Sequence, residues 1–372
     1  MQKKKVIVSV INDLTTDQRV ARTCSVFIEC HFEVTLIGRI QKNSKPISDR
    51  VYKCIRMKLF FEKGVLFYIF FNIRLFFILL FTKADLLYAN DLDTLLPNFL
   101  VSKLKGSKLI YDSHEIFCEV PELVNHPIKK WIWESLEKWI IPKLKNGITV
   151  NESIANYFTN KYNLPFIYVR NIPNYGEKII LKSRKVLGLP EKKYLIILQG
   201  AGINVQRGAE ELLESFKYLN DNYALLIIGA GDVINQLKLN ANKFQLKDKI
   251  IFIDKLSALE LRQYTINSDL GVTIDKDSNL NYHFSLPNKV FDYIHAGLPI
   301  LASKLPEIES IIHKYNIGVF INKHYPKHIA EQIEKLMNSS DYKILKQNTI
   351  LAASENNWQN EKQKLIKLFN QV

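Results

Sequence analysis

The sequence contains few cysteines, and their spacing fits neither a metal module nor a disulfide framework. Four occur among 372 residues, at Cys24, Cys30, Cys54 and Cys118, with no CxxC pair and no zinc-finger spacing. Scattered cysteines of this kind indicate reduced thiols in a cytosolic protein. The pattern argues against a small secreted domain held together by disulfides.

Signatures of several other classes are missing as well. There is no helix-turn-helix, RNP or zinc motif and no long basic run, so only the net charge suggests nucleic acid. The apolar run at 6–11 follows three lysines but is too short for a signal peptide and lacks a cleavage site. It meets Asn12 and Asp13 at once, and we expect a first β-strand there.

The charge that is present is strongly basic. Lys and Arg number 51 against 37 Asp and Glu, which gives a formal net charge of +14. Residues 1–175 hold 25 basic and 16 acidic side chains, and the rest hold 26 and 21. Such a surplus suits nucleic acid, an anionic membrane surface or an anionic small substrate. Because the surplus is larger in the first half, where an aromatic segment lies, we expect an anionic membrane surface and no nucleic acid.

Short β-branched runs alternate with helical stretches along most of the chain, which predicts parallel sheets covered by helices. The alternation pauses in a polar stretch with turn residues and then restarts. The predicted fold is α/β with two doubly wound, Rossmann-like domains facing a central cleft, where a ligand would bind at the strand carboxyl ends. The expected divisions are a first domain at 1–175, a linker at 176–193, a second domain at 194–352 and a C-terminal segment at 353–372.

One segment, residues 59–81, is unusually rich in phenylalanine and leucine. Its length is borderline for a membrane span, and charged residues including Arg74 interrupt it. A spanning helix would also divide the predicted parallel sheet. Two interpretations stay open: a helix buried under the first domain, or an amphipathic helix in a membrane interface.

The segment 284–299 predicts a short helix with defined ends. Pro287 suits the first helical position, and Gly297 suits a left-handed C-terminal cap. Free amides at the helix start, with Lys289 in the first turn, would attract an anion. Asp292 lies one turn after Asn288, so both can face one ligand, and a carboxylate suits a ribose diol. An ordinary capped helix with a solvated Lys and Asp is the alternative.

A glycine-containing loop at 199–208 follows a predicted strand and opens a helix. Its glycines, including Gly202, allow the backbone to approach a ligand, and Arg207 lies at the helix start where a diphosphate would bind. The loop matches neither a Walker A loop nor GxGxxG. The GxG at 229–231 is interpreted only as a strand-to-helix turn.

The order of these motifs resembles glycosyltransferase family 4. The resemblance is carried in the second half by RG at 207–208, IIGAGD at 227–232, SDLGV at 268–272, SLPNK at 285–289, DY at 292–293 and AGLP at 296–299. In the first half, VSVIND at 8–13, DQRV at 17–20 and YDSHE at 111–115 resemble motifs of bacterial members. The resemblance implies the GT-B fold, with a final helix near Trp358 that crosses back onto the first domain. It also implies metal-independent, retaining transfer from a nucleotide sugar, without a cofactor.

The resemblance assigns donor-binding roles in the second domain. Asp292 matches the second glutamate of the family's E-x7-E motif, which holds the ribose, whereas Phe284 stands where the first glutamate is expected. Arg207 and Lys289 match the phosphate-binding positions. The family's additional arginine in the loop is absent, because Ala201 and Gly202 occupy that region. The donor set is completed by the amides of Ser285 and Leu286, together with Asn288.

In the first domain, the resemblance implies that His114 meets the donor sugar and that Asn12 and Asp13 form the loop near the acceptor and diphosphate. Without the resemblance, His114 is more simply a turn residue, and Asn12 and Asp13 a helix-initiating turn. We expect His114 to position the sugar rather than act as a general base. The expected catalytic residues are His114, Arg207 and Lys289, and no metal ligand is expected.

The functional hypothesis is transfer of a sugar from a nucleoside diphosphate sugar to a hydroxyl acceptor, either lipid-linked or a growing surface polysaccharide. The expected location is cytoplasmic, peripheral on the inner face of the plasma membrane. A GT-B sugar-nucleotide 2-epimerase and a catalytically inactive GT-B partner subunit remain alternatives.

Overall fold

The computed structural model describes residues 3–15, 17–42, 44–47, 49–124, 126–177 and 179–372. The chain divides into two compact units. Residues up to 171 form the first unit together with Glu361–Val372, and Ile172–Asn360 form the second.

The first unit contains a seven-stranded parallel sheet in the order β3-β2-β1-β4-β5-β6-β7. Its strands are β1 Lys5–Asp13, β2 Glu33–Ile40, β3 Lys53–Lys58, β4 Leu86–Asn90, β5 Lys108–Asp112, β6 Gly147–Thr149 and β7 Phe166–Tyr168. Its helices are α1 Gln18–Glu29, α2 Gly64–Phe81, α3 Leu92–Lys105, α4 Pro121–Val124, α5 Pro127–Ile140 and α6 Glu152–Tyr162. Two short 3-10 turns flank α4 and α5.

The second unit contains a six-stranded parallel sheet in the order β10-β9-β8-β11-β12-β13. Its strands are β8 Tyr194–Gly200, β9 Tyr223–Gly229, β10 Ile250–Ile253, β11 Leu270–Thr273, β12 Ile300–Ser303 and β13 Gly318–Ile321. Its helices are α7 Ala209–Ser215, α8 Ile234–Lys243, α9 Ala258–Ile266, α10 Leu280–His283, α11 Asn288–Ala296, α12 Pro306–Tyr315, α13 Pro326–Met337 and α14 Tyr342–Glu355. The last helix of the chain is α15, Trp358–Asn370.

The aromatic segment forms α2, which connects β3 to β4 across the sheet. Phe67, Phe71, Leu75 and Leu79 recur every four residues and are buried against the sheet. This spacing places them on one side of a helix. At the far end, the Lys105 ammonium donates to the carbonyls of residues 79, 80 and 82, which satisfies the last turn of α2. One face of the segment is therefore buried, as the first interpretation expected, and the other face is exposed.

By length and composition alone, α2 would be long and apolar enough to cross a membrane. It has 18 residues with a mean hydropathy of 2.2, and 22% of them are buried. Because α2 connects β3 to β4, and both strands belong to the sheet, the helix is tied to the sheet at both ends.

The opposite face of the first sheet is covered by α1 and the end of α15. The rings of Phe27 and Phe369 are stacked with centroids 3.8 Å apart, and Tyr88 meets both rings edge-on. The Glu361 carboxylate accepts from the Arg170 guanidinium at 2.6 Å and from the Arg170 amide at 2.9 Å. These contacts place residues from 361 onward in the core of the first unit.

In the second unit, α11 lies directly against β11. The Tyr293 hydroxyl is shared between the carbonyls of Ile197 and Val272, each 3.2 Å away. A Cβ at Gly271 would stand 2.4 Å from the Tyr293 ring. Glycine is therefore required at this position for the close approach of helix and strand.

Replacing Phe369 by alanine is expected to destabilise the first unit by about 3–5 kcal/mol, because a large side chain that is 1% exposed leaves a cavity beside Phe27. Chemical denaturation followed by tryptophan fluorescence measures the change. Phe81→Ala is the matched control, since that side chain is 81% exposed. Equal stability of the two variants would contradict this account of the core.

Candidate functional site

The start of α11 was expected to carry an anion site. The structure shows where this helix begins and ends. The helix begins at Asn288, while Pro287 is the N-cap with extended backbone (φ −62°, ψ 138°). Placing Pro287 at the first helical position was therefore wrong by one residue. The ring fixes φ alone, and the high ψ keeps Pro287 outside the helix. Gly297 caps the other end with φ 75°, as predicted.

Arg207 and Lys289 meet at one buried carboxylate, Asp275. The Arg207 Nη1 lies 3.0 Å from the Asp275 Oδ2, and the Lys289 Nζ lies 3.9 Å from Oδ1. The Asp275 side chain is fully buried and Lys289 is nearly so. Burial lowers the pKa of Lys289. The Asp275 carboxylate acts to raise this pKa, and the positive charge of Arg207 acts to lower it. The structure thus brings together the two cations that the sequence placed beside a diphosphate.

Asp275 is a site residue that the sequence analysis missed. It follows β11 by two positions and so lies at the carboxyl end of a central strand, which is the one signal that could have found it. It also lines a cavity of about 230 Å³ at the carboxyl ends of β11, β12 and β13. The other lining residues are mostly polar and could meet sugar hydroxyls: Asp277, Ser303, Lys304, Leu305, Ile321, Asn322 and His324.

The loop that carries Gly202 and Arg207 packs backbone to backbone on the turn at 229–232. A Cβ at Gly229 would stand 1.8 Å from the Gly200 oxygen, and one at Gly231 would stand 2.0 Å from the Ile203 oxygen. These glycines therefore hold two loops together, in agreement with the structural interpretation of the GxG turn. At Gly202 a Cβ would meet nothing closer than 3.6 Å, which is an ordinary contact.

The Asp292 carboxylate accepts a hydrogen bond from Gln199, a second residue that the sequence analysis missed. The Gln199 Nε2 donates to the Asp292 Oδ2 at 2.9 Å, while the Gln199 Oε1 accepts from the Thr265 hydroxyl at 2.7 Å. Gln199 is buried at the end of β8. A polar residue in an otherwise apolar strand was the available signal. The chain Thr265–Gln199–Asp292 fixes the orientation of the carboxylate.

The remaining predicted donor residues lie from the end of α10 to the first residue of α11 and differ in environment. The Ser285 amide donates to the Tyr282 carbonyl at 3.1 Å, so this turn uses one of the amides expected for the diphosphate. The Ser285 hydroxyl is buried and makes no hydrogen bond within the described part of the chain. Leu286 packs partly buried on the core, and Asn288 is exposed. The hydroxyl of Ser285 is therefore the group here that is poised for an additional partner.

In the first unit, His114 follows β5 and is enclosed by carboxylates. Its Nδ1 lies 3.1 Å from Asp91 and its Nε2 lies 3.5 Å from Asp112, and its amide donates to Asp91 at 2.8 Å. Burial alone would lower the pKa of His114, but Asp91 and Asp112 outweigh it and raise the pKa well above the usual range. Both ring nitrogens face carboxylates, so the ring is held as a cation.

The carboxylates around His114 are themselves fixed. Burial would raise the pKa of Asp112, but Arg19 and His114 lower it instead. The Arg19 Nη2 and the Tyr88 hydroxyl each lie 2.7 Å from the Asp112 carboxylate. Asp91 adopts φ 60° and ψ 165°, a backbone region that is nearly restricted to glycine. Strain of this kind persists only where surrounding contacts impose it.

Asn12 and Asp13 end β1 and are held by internal contacts. The Asn12 amide donates to Asp17 at 3.1 Å, and Asp17 caps α1 by accepting from the amide of Val20. Burial acts to raise the pKa of Asp13, but its partners, which include Arg56 at 3.2 Å, lower it overall. These contacts fit the helix-initiating turn that the sequence left open.

Among the residues that the structure describes, no group of three or more His, Cys, Asp or Glu side chains could hold a metal ion.

Comparison with known proteins supports a glycosyltransferase. Residues 180–355 match the family model described as glycosyl transferases group 1. The chain is 21% identical over 419 residues to the chitobiosyldiphosphodolichol beta-mannosyltransferase of Candida glabrata, over 98% of this chain and 90% of that protein.

Solved structures agree on the fold. The sucrose-phosphate synthase of Thermosynechococcus elongatus matches with a TM-score of 0.81 at 12% identity, over 99% of each chain. HepE of Anabaena, in complex with UDP and glucose, matches with a TM-score of 0.75 at 12% identity, over 99% of this chain and 100% of that one. The predicted fold class is confirmed: the protein has two parallel-sheet α/β units and the GT-B fold.

The charge on His114 predicts how stability depends on pH. A cation whose pKa is raised by folding stabilises the native state fully below its unfolded pKa of about 6.5, and this contribution is lost as the pH rises through the folded pKa. The free energy of unfolding should therefore fall from neutral to alkaline pH, and His114→Gln should flatten that slope. Denaturant titrations over pH measure it, with exposed His126→Gln as the control. Parallel curves for wild type and His114→Gln would contradict the pairing of His114 with Asp91 and Asp112.

Proposed function

We propose that the protein is a member of glycosyltransferase family 4, of the bacterial type, which transfers a sugar from a nucleoside diphosphate sugar to a hydroxyl acceptor. The observation that carries the proposal is the convergence of Arg207 and Lys289 on Asp275 beside the start of α11. This arrangement lies within the residues that match group 1 glycosyl transferases. The Anabaena protein in complex with UDP and glucose supports a nucleotide-sugar donor.

The chemistry follows from the leaving group. A nucleoside diphosphate gains negative charge as the bond to the sugar breaks, and preorganised cations lower that barrier. Arg207 and Lys289 would supply these charges, with Asp275 holding both in place before the donor binds. Asp292, oriented by Gln199, would accept the ribose hydroxyls.

His114 would act on the donor sugar as a fixed cation and hydrogen-bond donor. A general base must be neutral, whereas the carboxylates of Asp91 and Asp112 favour the charged form of His114. We propose that transfer retains the anomeric configuration and needs no metal, as the family resemblance implies. In that scheme the leaving phosphate takes the proton of the acceptor.

We propose further that the acceptor is lipid-linked or a growing surface polysaccharide, and that the enzyme works in the cytoplasm at the inner face of the plasma membrane. The support is that the Candida glabrata relative is named for a diphosphodolichol-linked sugar. The basic surplus of the first half points in the same direction.

Alanine at Arg207, Lys289 or Asp292 should lower transfer by about 10²–10³-fold, because each variant removes a charge or acceptor that meets the donor. A panel of nucleotide sugars, read first by thermal shift and then by product formation, measures both binding and turnover. Lys247→Ala, an exposed lysine of the same unit, is the control. Full activity in all three variants would reject the assignment.

The same assay separates the alternatives. Epimerised nucleotide sugar that accumulates without acceptor would identify an epimerase, and donor binding without any turnover would identify an inactive partner subunit. The anomeric configuration of the product, read by NMR, tests retention.

Metal independence gives its own prediction. Transfer should survive exhaustive treatment with EDTA at the wild-type rate, since the cations that stabilise the leaving group belong to the protein. Loss of activity with EDTA, restored by Mg²⁺ or Mn²⁺, would show that this part of the proposal is wrong.

A further inference from the structure

Helix α2 is apolar on both faces, which is unusual for a helix at a protein surface. Its inner face packs on the sheet, yet the large hydrophobic side chains of its outer face are also exposed. They are Val65, Leu66, Ile69, Phe70, Ile73, Phe77 and Phe81. A surface helix normally turns polar residues outward, so an outer apolar face implies an apolar environment on that side.

The exposed apolar surface continues onto two neighbouring helices. Tyr68 of α2 contacts Trp133 of α5 edge-on at 5.3 Å, and Phe99 of α3 contacts Trp139 of α5 at 5.7 Å. The crossovers that contain α2, α3 and α5 all run in the same direction along the sheet, so right-handed connections put the three helices on one face. The additional exposed hydrophobic residues are Leu100, Leu104, Ile128, Trp131, Ile132 and Trp139. We call this surface, together with the outer face of α2, the three-helix face.

The charge on the three helices is mainly positive, although Lys130 pairs with Glu119 at 2.8 Å and Lys138 with Glu134 at 3.3 Å. The three helices carry six basic side chains: Arg74, Lys103, Lys105, Lys129, Lys130 and Lys138. Of their three carboxylates, Asp93 and Glu137 are buried, which leaves Glu134. An apolar surface rimmed by positive charge complements a bilayer with anionic headgroups.

We propose that the three-helix face docks in the interface of an anionic lipid bilayer, with α2 lying flat and its outer side chains below the headgroups. Three of the four tryptophans of the chain lie on α5, and tryptophan favours the boundary between headgroups and acyl chains. A span by α2 is disfavoured because Phe67, Phe71 and the rest of its inner face would have to leave the sheet.

A second copy of the chain is a poorer occupant of the same face. A twofold interface would place the mainly positive charge of one copy against the same charge on the other, because Glu119 and Glu134 are already paired with Lys130 and Lys138 of their own chain. The lipid surface supplies the missing negative charge. The inference rests on the membrane location proposed above and names the surface that would make the contact. Its test measures lipid binding and not sugar transfer, so either can fail without the other.

Flotation of the full chain with vesicles tests the proposal. Binding is expected to vesicles of phosphatidylglycerol mixed with phosphatidylcholine, and it should weaken as salt rises. The triple variant Ile69→Ser, Ile73→Ser, Phe77→Ser should lower the partition coefficient by about tenfold or more, because three apolar side chains no longer enter the interface. The pair Leu239→Ser, Leu259→Ser removes exposed leucines of the second unit and should bind as wild type.

Tryptophan emission gives an independent measurement. Trp131 is 68% exposed, so vesicle binding should shift emission to the blue, and Trp131→Phe should reduce the shift. Thermal unfolding without added ligand shows in parallel that each variant is folded. Absence of flotation at low salt would overturn the proposal. So would a self-association that the triple variant abolishes, because that result would assign the face to a second copy.

Discussion

Parallel sheets must be covered on both faces, and this requirement shapes both units. Most strands return through a helix that crosses the sheet, so the helices form the outer layers and the carboxyl ends of the strands come together at one edge. In the first unit, that edge presents His114 with Asp91 and Asp112. In the second, it presents Asp275, Gln199 and the loop that carries Arg207. The residues that matter for chemistry are thus gathered by topology rather than by proximity in sequence.

The two groups of functional side chains share an electrostatic principle. In each, a buried carboxylate sits beside cations that would otherwise be poorly solvated: Asp275 between Arg207 and Lys289, and Asp112 between Arg19 and His114. A cation withdrawn from water is costly unless it is paired. The carboxylate favours the charged form of the cation and fixes its orientation. In the proposed reaction, the diphosphate would meet charges whose positions are already set.

Local sequence signals predicted most of the fold, and the site less completely. The apolar strand runs, Gly297 as a helix cap and the order of the elements follow from periodicity and backbone preference. Strand β7 and helix α10 were not predicted, since three or four residues are too few to establish a period. Asp275 and Gln199 were missed for a different reason. Their hydrogen bonds, from Arg207 to Asp275 and from Gln199 to Asp292, join residues more than 60 positions apart in the chain, and no local pattern encodes such a contact. The helix-start pattern and the family resemblance both pointed to Arg207, Lys289 and Asp292, but neither revealed what holds them.

The stacking of Phe27 on Phe369 has a consequence for how the protein is made. The first unit is assembled from two segments separated by the whole of the second. On a ribosome, residues 1–171 emerge early but lack part of their hydrophobic core until 361–372 follow. The core of the first unit therefore stays incompletely packed while the second unit, which is continuous in sequence, completes its own sheet. The part of the chain that is synthesised first is the last to reach its finished core.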